Sequence, residues 1–492
     1  MNLAQTALDP LPSAVKIPAI ATPAGRSGWV TCGYYLTALL PVVFYLLLGH
    51  NQFLNPDAGR NWVRWFAVVQ FLIMLVPVIS SFIYVVIGML FFGAPRDRRP
   101  GADWQWDQAV HLLVTYVSRG NESGTLLRAT SETRRVLDLL GVNYTIEVVT
   151  DIEIPSENKL VKTAGAVLYF VVPPDYETLS GARYKARALQ YLLEQRTLRL
   201  AGREDADNVW ILHMDEESIA SPECLLGIRE HIEKYDLRRT PGAIGQGEIL
   251  YNAHRYGDHS VITAIDASRT GGDLGLFRLQ YKAMHIPWVG MHGSFVLTPA
   301  RIEREITWDM GAQGSILEDS YFALVAMERG VRFDWVEGFI REQSPLTIPD
   351  VIRQRRRWYC GLAALSRNPL IKLRARIGLR IVVLFCTIAA LCLPLPLLYI
   401  QQRLMFGNGL LPYWTFLMAA GSTGLYAAAC SVGLYRNLLH CQTTGRRKCW
   451  LILVTAVSWF FYVPALVECA GVLYGVFFPV SSFYVVAKDD QS

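Results

Sequence analysis

The sequence predicts an α/β domain with a mostly parallel, Rossmann-like sheet set between transmembrane α-helices, and three observations predict it. The chain of 492 residues is 52% hydrophobic, which is too apolar for a water-soluble enzyme of that length. Strongly apolar runs gather at the two ends. The polar middle alternates short β-branched runs with helical stretches, the grammar of βαβ units. The expected division is 1–94, a tail with two transmembrane helices; 95–375, the α/β domain ending in an interfacial helix; and 376–492, about three further transmembrane helices.

The apolar runs lie at about 29–49, 65–93, 381–400, 411–435 and 450–478, each reaching the ~20 residues that a helix needs to cross a bilayer. The first has no small-residue cleavage site and reads as a retained anchor. The last carries Pro464 and Glu468, and reads either as one long crossing or as a crossing followed by an interfacial piece. Arg96, Arg98 and Arg99 follow the second run, Lys372, Arg374 and Arg376 precede the third, and Arg446, Arg447 and Lys448 precede the fifth. All three clusters lie on one side if the middle domain is cytosolic, which predicts a multi-pass membrane protein with that orientation. The sequons at Asn121 and Asn143 would then go unused.

A net charge of +5, gathered beside apolar runs, argues against a nucleic-acid surface and for contact with membrane lipids. The nine cysteines include no CxxC pair, and Cys386, Cys392, Cys430 and Cys469 fall inside apolar runs, so neither a disulfide framework nor structural zinc is expected.

Within the middle domain, 111–117, 145–150 and 209–214 read as strands and 124–140 as a helix. Ligands of such sheets bind beyond the carboxyl ends of the strands, which points to residues 118–121, Asp151 and 215–217. Asp215 and Glu217 form an Asp-x-Glu whose side chains face one way on extended chain; two hard oxygen ligands can hold Mg²⁺ or Mn²⁺ against a diphosphate. An acidic triplet after a strand is more often a solvated turn. Glu318 and Asp319 precede the helical pattern 320–329, where a carboxylate serves either as a helix cap or as a general base. Gln354, Arg357 and Trp358 sit on an arginine-rich helix before the third apolar run, either anchoring it at the interface or binding a diphosphate through Arg357 and a sugar face through Trp358.

The order Asp, Asp-x-Glu, Glu-Asp, Gln-x-x-Arg-Trp followed by a membrane helix resembles the processive-type family-2 glycosyltransferases, such as cellulose and hyaluronan synthases. Within them, residues 146–151, 185–191, 213–217, 278–282, 293–296, 314–319 and 342–347 are most similar to egghead-type β-1,4-mannosyltransferases. Leu317 stands where the family's Thr-Glu-Asp carries a hydroxyl, and Glu217 where cellulose synthases carry Asp. The resemblance implies a GT-A fold and an inverting transfer. It implies donor contacts from Asp151, Lys185, Arg187, Asp215, Gln354, Arg357 and Trp358, metal at Asp215 and Glu217, and catalysis by Asp319 with Glu318. Its partners would be a GDP- or UDP-hexose and a lipid-linked or glycan acceptor.

Two functions follow from it: a single transfer of a hexose, with mannose favoured, to a membrane-associated acceptor, or processive synthesis of a β-linked polysaccharide. A transporter with a soluble insert leaves the ordered carboxylates unexplained. Gly271, Gly272 and Gly275 do not open a strand-turn-helix fingerprint, which argues against a dinucleotide-binding oxidoreductase.

Overall fold

The computed structural model describes residues 31–40, 42–43, 83–154, 167–201, 208–252, 260–392, 413–441 and 463–480, together with Gly445, Cys449 and Ile452. Large parts of the runs at 29–49, 65–93, 381–400 and 450–478 fall outside these residues, whereas the run at 411–435 lies almost wholly within them, in the helix Tyr413–His440. Among the described residues, no helix is long and apolar enough to cross a membrane.

An eight-stranded sheet organises the middle of the chain: β1 (His111–Ser118), β2 (Tyr144–Thr150), β3 (Val167–Val171), β4 (Val209–Asp215), β5 (Ile219–Ala220), β6 (Ala243–Leu250), β7 (Val296–Pro299) and β8 (Arg332–Arg341), in the order β3-β2-β1-β4-β7-β6-β8-β5. The first half, β3-β2-β1-β4, is wholly parallel and Rossmann-like. In the second half β7 runs antiparallel to both β4 and β6, and β5 antiparallel to β8. The sheet is therefore mixed rather than mostly parallel. Long-range pairing made this half illegible: β7, far along the chain from β4, returns antiparallel beside it in place of the crossover expected between parallel strands.

Strands β1 and β4 are almost continuously buried, as expected of a sheet covered on both faces. On one face Leu112, Val114, Tyr116 and Leu212 pack against α1 (Ser123–Leu139) and α3 (Pro222–Lys234). On the other, Val117, Val149 and Val296 meet α2 (Tyr184–Leu200) and α6 (Glu318–Glu328). The remaining principal helices are α4 (Ser260–Ala267), α5 (Ala300–Ile306), α7 (Ile348–Leu365), α8 (Leu373–Cys392), α9 (Tyr413–His440) and α10 (Val463–Phe477).

Local chemistry sets the ends of these helices. Ser221 caps α3 by accepting the Cys224 amide hydrogen at 3.0 Å, with Pro222 in the first turn. Thr347 caps α7 by accepting from the Asp350 amide at 3.2 Å, while its hydroxyl donates to the Asp350 carboxylate at 2.6 Å. This cap fixes where the arginine-rich helix begins, and so where Gln354, Arg357 and Trp358 stand along it.

Candidate active site

Register brings the first carboxylates together. Val117 of β1 lies opposite Asp215 of β4, and Ser118 opposite Thr150 of β2, so Asp151 and Asp215 flank the carboxyl end of β1. Because β7 is antiparallel to β4, with His213 opposite Val296, the chain entering β7 passes over the end of β4. Ser294 accepts the Asp215 amide hydrogen at 3.3 Å through its hydroxyl, and Gly293 lies next to it.

Gly293 occupies the centre of the site. A Cβ there would stand 3.0 Å from Lys185 Nζ, 3.2 Å from Asp319 Oδ2 and 3.9 Å from Asp215 Oδ1. The Lys185 ammonium donates to Asp215, lies 3.7 Å from Glu318 Oε1 and donates to the Gly293 carbonyl at 3.2 Å. Two acidic motifs about a hundred residues apart in sequence thus converge on one lysine.

One cavity of about 600 Å³ is lined by Asp151, Lys185, Asp215, Glu217, Glu318, Asp319, Gln354, Arg357 and Trp358. Of the residues expected at the site, only Arg187 stays behind the wall. Its guanidinium holds the Pro173 carbonyl at 2.6 Å and the Tyr176 carbonyl at 2.9 Å, and reaches Asp151 at 3.4 Å. The extended-chain premise for Asp215 and Glu217 also needs correction. Asp215 ends the strand and the Ser218 amide donates to its carbonyl at 3.0 Å, so Glu217 sits in a turn. Glu217 still lines the cavity, whereas Glu216 is buried and accepts from the Ser118 hydroxyl. The Trp358 ring is not open on all sides, because the Arg269 and Arg355 guanidinium carbons lie 4.3 and 4.5 Å from its centroid.

Burial governs the electrostatics. It pushes Glu318 up to about 7, with Lys185 opposing and Asp319 adding to the rise. Asp319 is raised for the same reason, again opposed by Lys185. Asp151 is raised by burial against the pull of Arg187. For Lys185 burial acts downward, but Asp215 and Glu318 outweigh it and hold the ammonium charged. Burial lowers Arg357, opposed by Glu318, Asp319 and Asp215, which places that guanidinium in the field of all three carboxylates.

The far wall of the cavity is apolar, formed by Phe385 and Ala389 of α8, Tyr426 and Ala429 of α9, and Val472 of α10. Between the two ends stands a polar group that sequence reading missed. Arg355, fully buried, donates to Asp266 at 2.8 Å and to Glu468 at 2.6 Å. His292 and Asp273, also missed, pair beside Gly293. Arg355 was masked by its place among the other arginines of the 354–358 run, while Asp266, Asp273 and His292 belong to no short motif.

The family model for "Glycosyl transferase family group 2" matches residues 210–478, and this span begins at β4 and ends after α10. The chain belongs to that glycosyltransferase family. It is 33% identical over 363 residues to the beta-1,4-mannosyltransferase bre-3 of Caenorhabditis elegans, covering 71% of this chain and 72% of the relative. It is 31% identical over 342 residues to the beta-1,4-mannosyltransferase egh of Drosophila melanogaster, covering 68% and 70%. This glycosyltransferase is also similar to a solved mannosyltransferase, PcManGT from Pyrobaculum calidifontis in complex with GDP-Man and Mn²⁺, at 12% identity and TM-score 0.35 over 92% of this chain and 99% of that one. A second likeness is to TarS 1–349 of S. aureus, at 12% identity and TM-score 0.29 over 73% and 90%. Those scores mark a loose likeness, from which no contact is transferred. The mixed sheet, with an aspartate closing β4, is the GT-A-like domain of the family.

Proposed function

We propose that this glycosyltransferase moves mannose, with inversion, from a nucleotide-sugar donor to a lipid-linked or glycolipid acceptor at the cytosolic face of a membrane, forming a β-glycosidic bond. The observation that carries this reading is the convergence of Asp215, Glu318 and Asp319 around Lys185 and Gly293 in one cavity. Mannose is favoured because both relatives named above are β-1,4-mannosyltransferases. GDP- and UDP-linked donors are the two classes to test.

Inverting displacement needs a base on one side of the anomeric carbon and charge stabilisation on the other, held in line. Asp319 takes the proton from the acceptor hydroxyl as the new C–O bond forms and the bond to the diphosphate breaks. Its raised pKa suits that task, and Glu318 beside it keeps the pocket short of free negative charge. Lys185 and Arg357 face the carboxylates from two elements and provide cationic contacts for the diphosphate. Gln354 and Trp358 line the donor's side, and Arg187 acts through Asp151.

Asp215 and Glu217 are the residues that would hold Mg²⁺ or Mn²⁺. The Asp215 carboxylate is partly open to the cavity and already attracts a cation, the Lys185 ammonium. Among the described residues no group of three His, Cys, Asp or Glu is poised around an ion. That suits an ion bound through one or two carboxylates, with substrate phosphates completing the shell. When bound, it would neutralise charge on the departing diphosphate.

Membrane attachment is supported by the apolar runs and by large side chains exposed on the helices: Leu36, Leu40, Leu373, Ile381, Leu384 and Phe477. The apolar wall of the cavity suits an acceptor with a hydrocarbon portion. The test is nucleoside diphosphate release by detergent-purified protein with Mn²⁺ and a panel of GDP- and UDP-sugars, with and without octyl β-D-hexosides, followed by sizing of the product. One added mannose is expected. A ladder of products would favour the polymerase, and no release from any donor would overturn the reading.

A further inference from the structure

His292 and Asp273 form a pair that the mechanism above leaves unused. His292 lies next to Gly293 and lines the main cavity with Asp319; both also border the small void behind the carboxylates. Its Nε2 is 2.7 Å from Asp273 Oδ1, its ring stacks on Phe277 with centroids 4.2 Å apart, and its backbone amide donates to Gln246 Oε1 at 3.2 Å. Asp273 is buried, and its other oxygen accepts the Ile249 amide hydrogen at 3.2 Å. The imidazole is therefore fixed in place on three sides.

The carboxylate also fixes the tautomer. An aspartate accepts and does not donate, so the proton of a neutral His292 resides on Nε2 and Nδ1 carries the lone pair. Nδ1 has no partner among the described residues, and the ring is partly open to the cavity. A rigid, oriented acceptor of this kind, on a residue that lines the same cavity as Asp319, matches a hydroxyl donor. Resting on the transferase reading above, we infer that His292 Nδ1 accepts a hydrogen bond from one sugar hydroxyl at the transfer centre, with Asp273 as the residue that positions it. The hydroxyl belongs either to the transferred hexose or to the acceptor sugar, and the two are separable by experiment.

The test pairs protein variants with substrates in which one hydroxyl at a time is replaced by fluorine. Fluorine fills the space of the hydroxyl but has no hydrogen to give, so it faces the Nδ1 lone pair unfavourably. His292→Phe keeps a ring on Phe277 and removes Nδ1. Asp273→Asn works differently: its carbonyl must still serve the Ile249 amide, so its NH₂ turns toward Nε2 and shifts the imidazole proton to Nδ1. Both hydrogen bonds survive in that variant while Nδ1 becomes a donor.

Monofluorinated GDP-mannose and UDP-mannose donors, and monofluorinated octyl β-D-hexosides, are assayed for kcat/KM with wild type and both variants. At one position fluorine should cost wild type roughly tenfold, the order of one lost hydrogen bond; it should cost His292→Phe little, and Asp273→Asn less than wild type, since there Nδ1–H meets the fluorine without lone-pair repulsion. A position on the donor assigns the contact to the transferred hexose, and one on the octyl glycoside assigns it to the acceptor. If each fluorinated substrate costs wild type and both variants the same factor, the inference is wrong, since a purely structural role lowers Tm and activity without regard to the substituent. Should His292→Phe fail to fold, Asp273→Asn alone decides. Wild type that releases no nucleoside diphosphate from any unmodified donor would overturn the transferase reading instead.

Discussion

Replacing Glu318 by Gln should stabilise the protein in a pH-dependent way. Glu318 opens α6 almost fully buried, and its carboxyl is pushed from an ordinary 4.5 up to about 7, mainly by loss of water. The folded protein therefore holds this proton over a range in which the unfolded chain has released it. Stability from this group is fully present below about pH 4.5, falls as pH rises, and levels off above about pH 7. At ~1.4 kcal/mol for each tenfold difference in acidity, the ionised carboxylate costs the fold on the order of 3 kcal/mol at about pH 8. Gln keeps the shape and never ionises, and Lys185 retains Asp215 as its partner. The assay is thermal unfolding in detergent, followed by tryptophan fluorescence, at about pH 5 and about pH 8. Wild type and variant should nearly coincide at the lower pH, with the variant ahead by a few degrees at the higher. A difference that does not change with pH, or a variant less stable at the higher pH, would refute the assignment of a displaced titration to Glu318.

Asp319→Asn should retain nucleoside diphosphate binding, measured by calorimetry, while transfer falls by roughly 10²–10⁴-fold, the usual worth of a general base; near-normal turnover would remove Asp319 from the chemistry. Asp215→Ala should abolish the Mn²⁺ dependence of donor binding, and chelator-treated wild type should lose turnover that Mn²⁺ restores. Gly293→Ala puts a methyl 3.0 Å from Lys185 Nζ and 3.2 Å from Asp319 Oδ2. The flexible lysine can yield, but the short aspartate must shift by a few tenths of an ångström. Fold stability should drop by only about 1 kcal/mol, while kcat falls ~10-fold or more. Equal kcat in the two proteins would show that Asp319 tolerates the displacement.

Elements with a strong local period were legible in the sequence. Strands expected at 111–117, 145–150 and 209–214 are found at His111–Ser118, Tyr144–Thr150 and Val209–Asp215, and the helix at 124–140 is Ser123–Leu139. The acidic motifs were legible because a strand end and a helix start are places where a carboxylate needs a reason. What could not be read is anything that depends on a return of the chain. The antiparallel entry of β7 brings Gly293 and His292 to Asp215, and nothing in residues 291–299 states which strand they will join. The turn at Glu217 was hidden for a smaller reason: strands end without a sequence mark, and one residue of extension reverses the direction of a side chain.

The same limit explains Arg355. The run 354–358 reads as one basic patch, but on a helix residues two apart point to nearly opposite sides. Arg357 lies in the field of Glu318, Asp319 and Asp215, whereas Arg355 is buried against Asp266 of α4 and Glu468 of α10. The acidic residue that looked isolated in the last apolar run is thus the counter-charge of a motif about a hundred residues earlier, and Gly471 makes room by letting α10 approach the Arg355 stem. A buried guanidinium with two carboxylates costs desolvation that its ion pairs only partly offset, so its contribution is better sought in orientation than in stability. Arg355 ties α7 to α4 and α10 at once, which sets the rotation of α7 about its axis, and that rotation decides whether Gln354, Arg357 and Trp358 face the cavity. The C-terminal helices therefore serve the active site twice, as the apolar wall of its cavity and, through the Glu468–Arg355 pair, as a brace on α7.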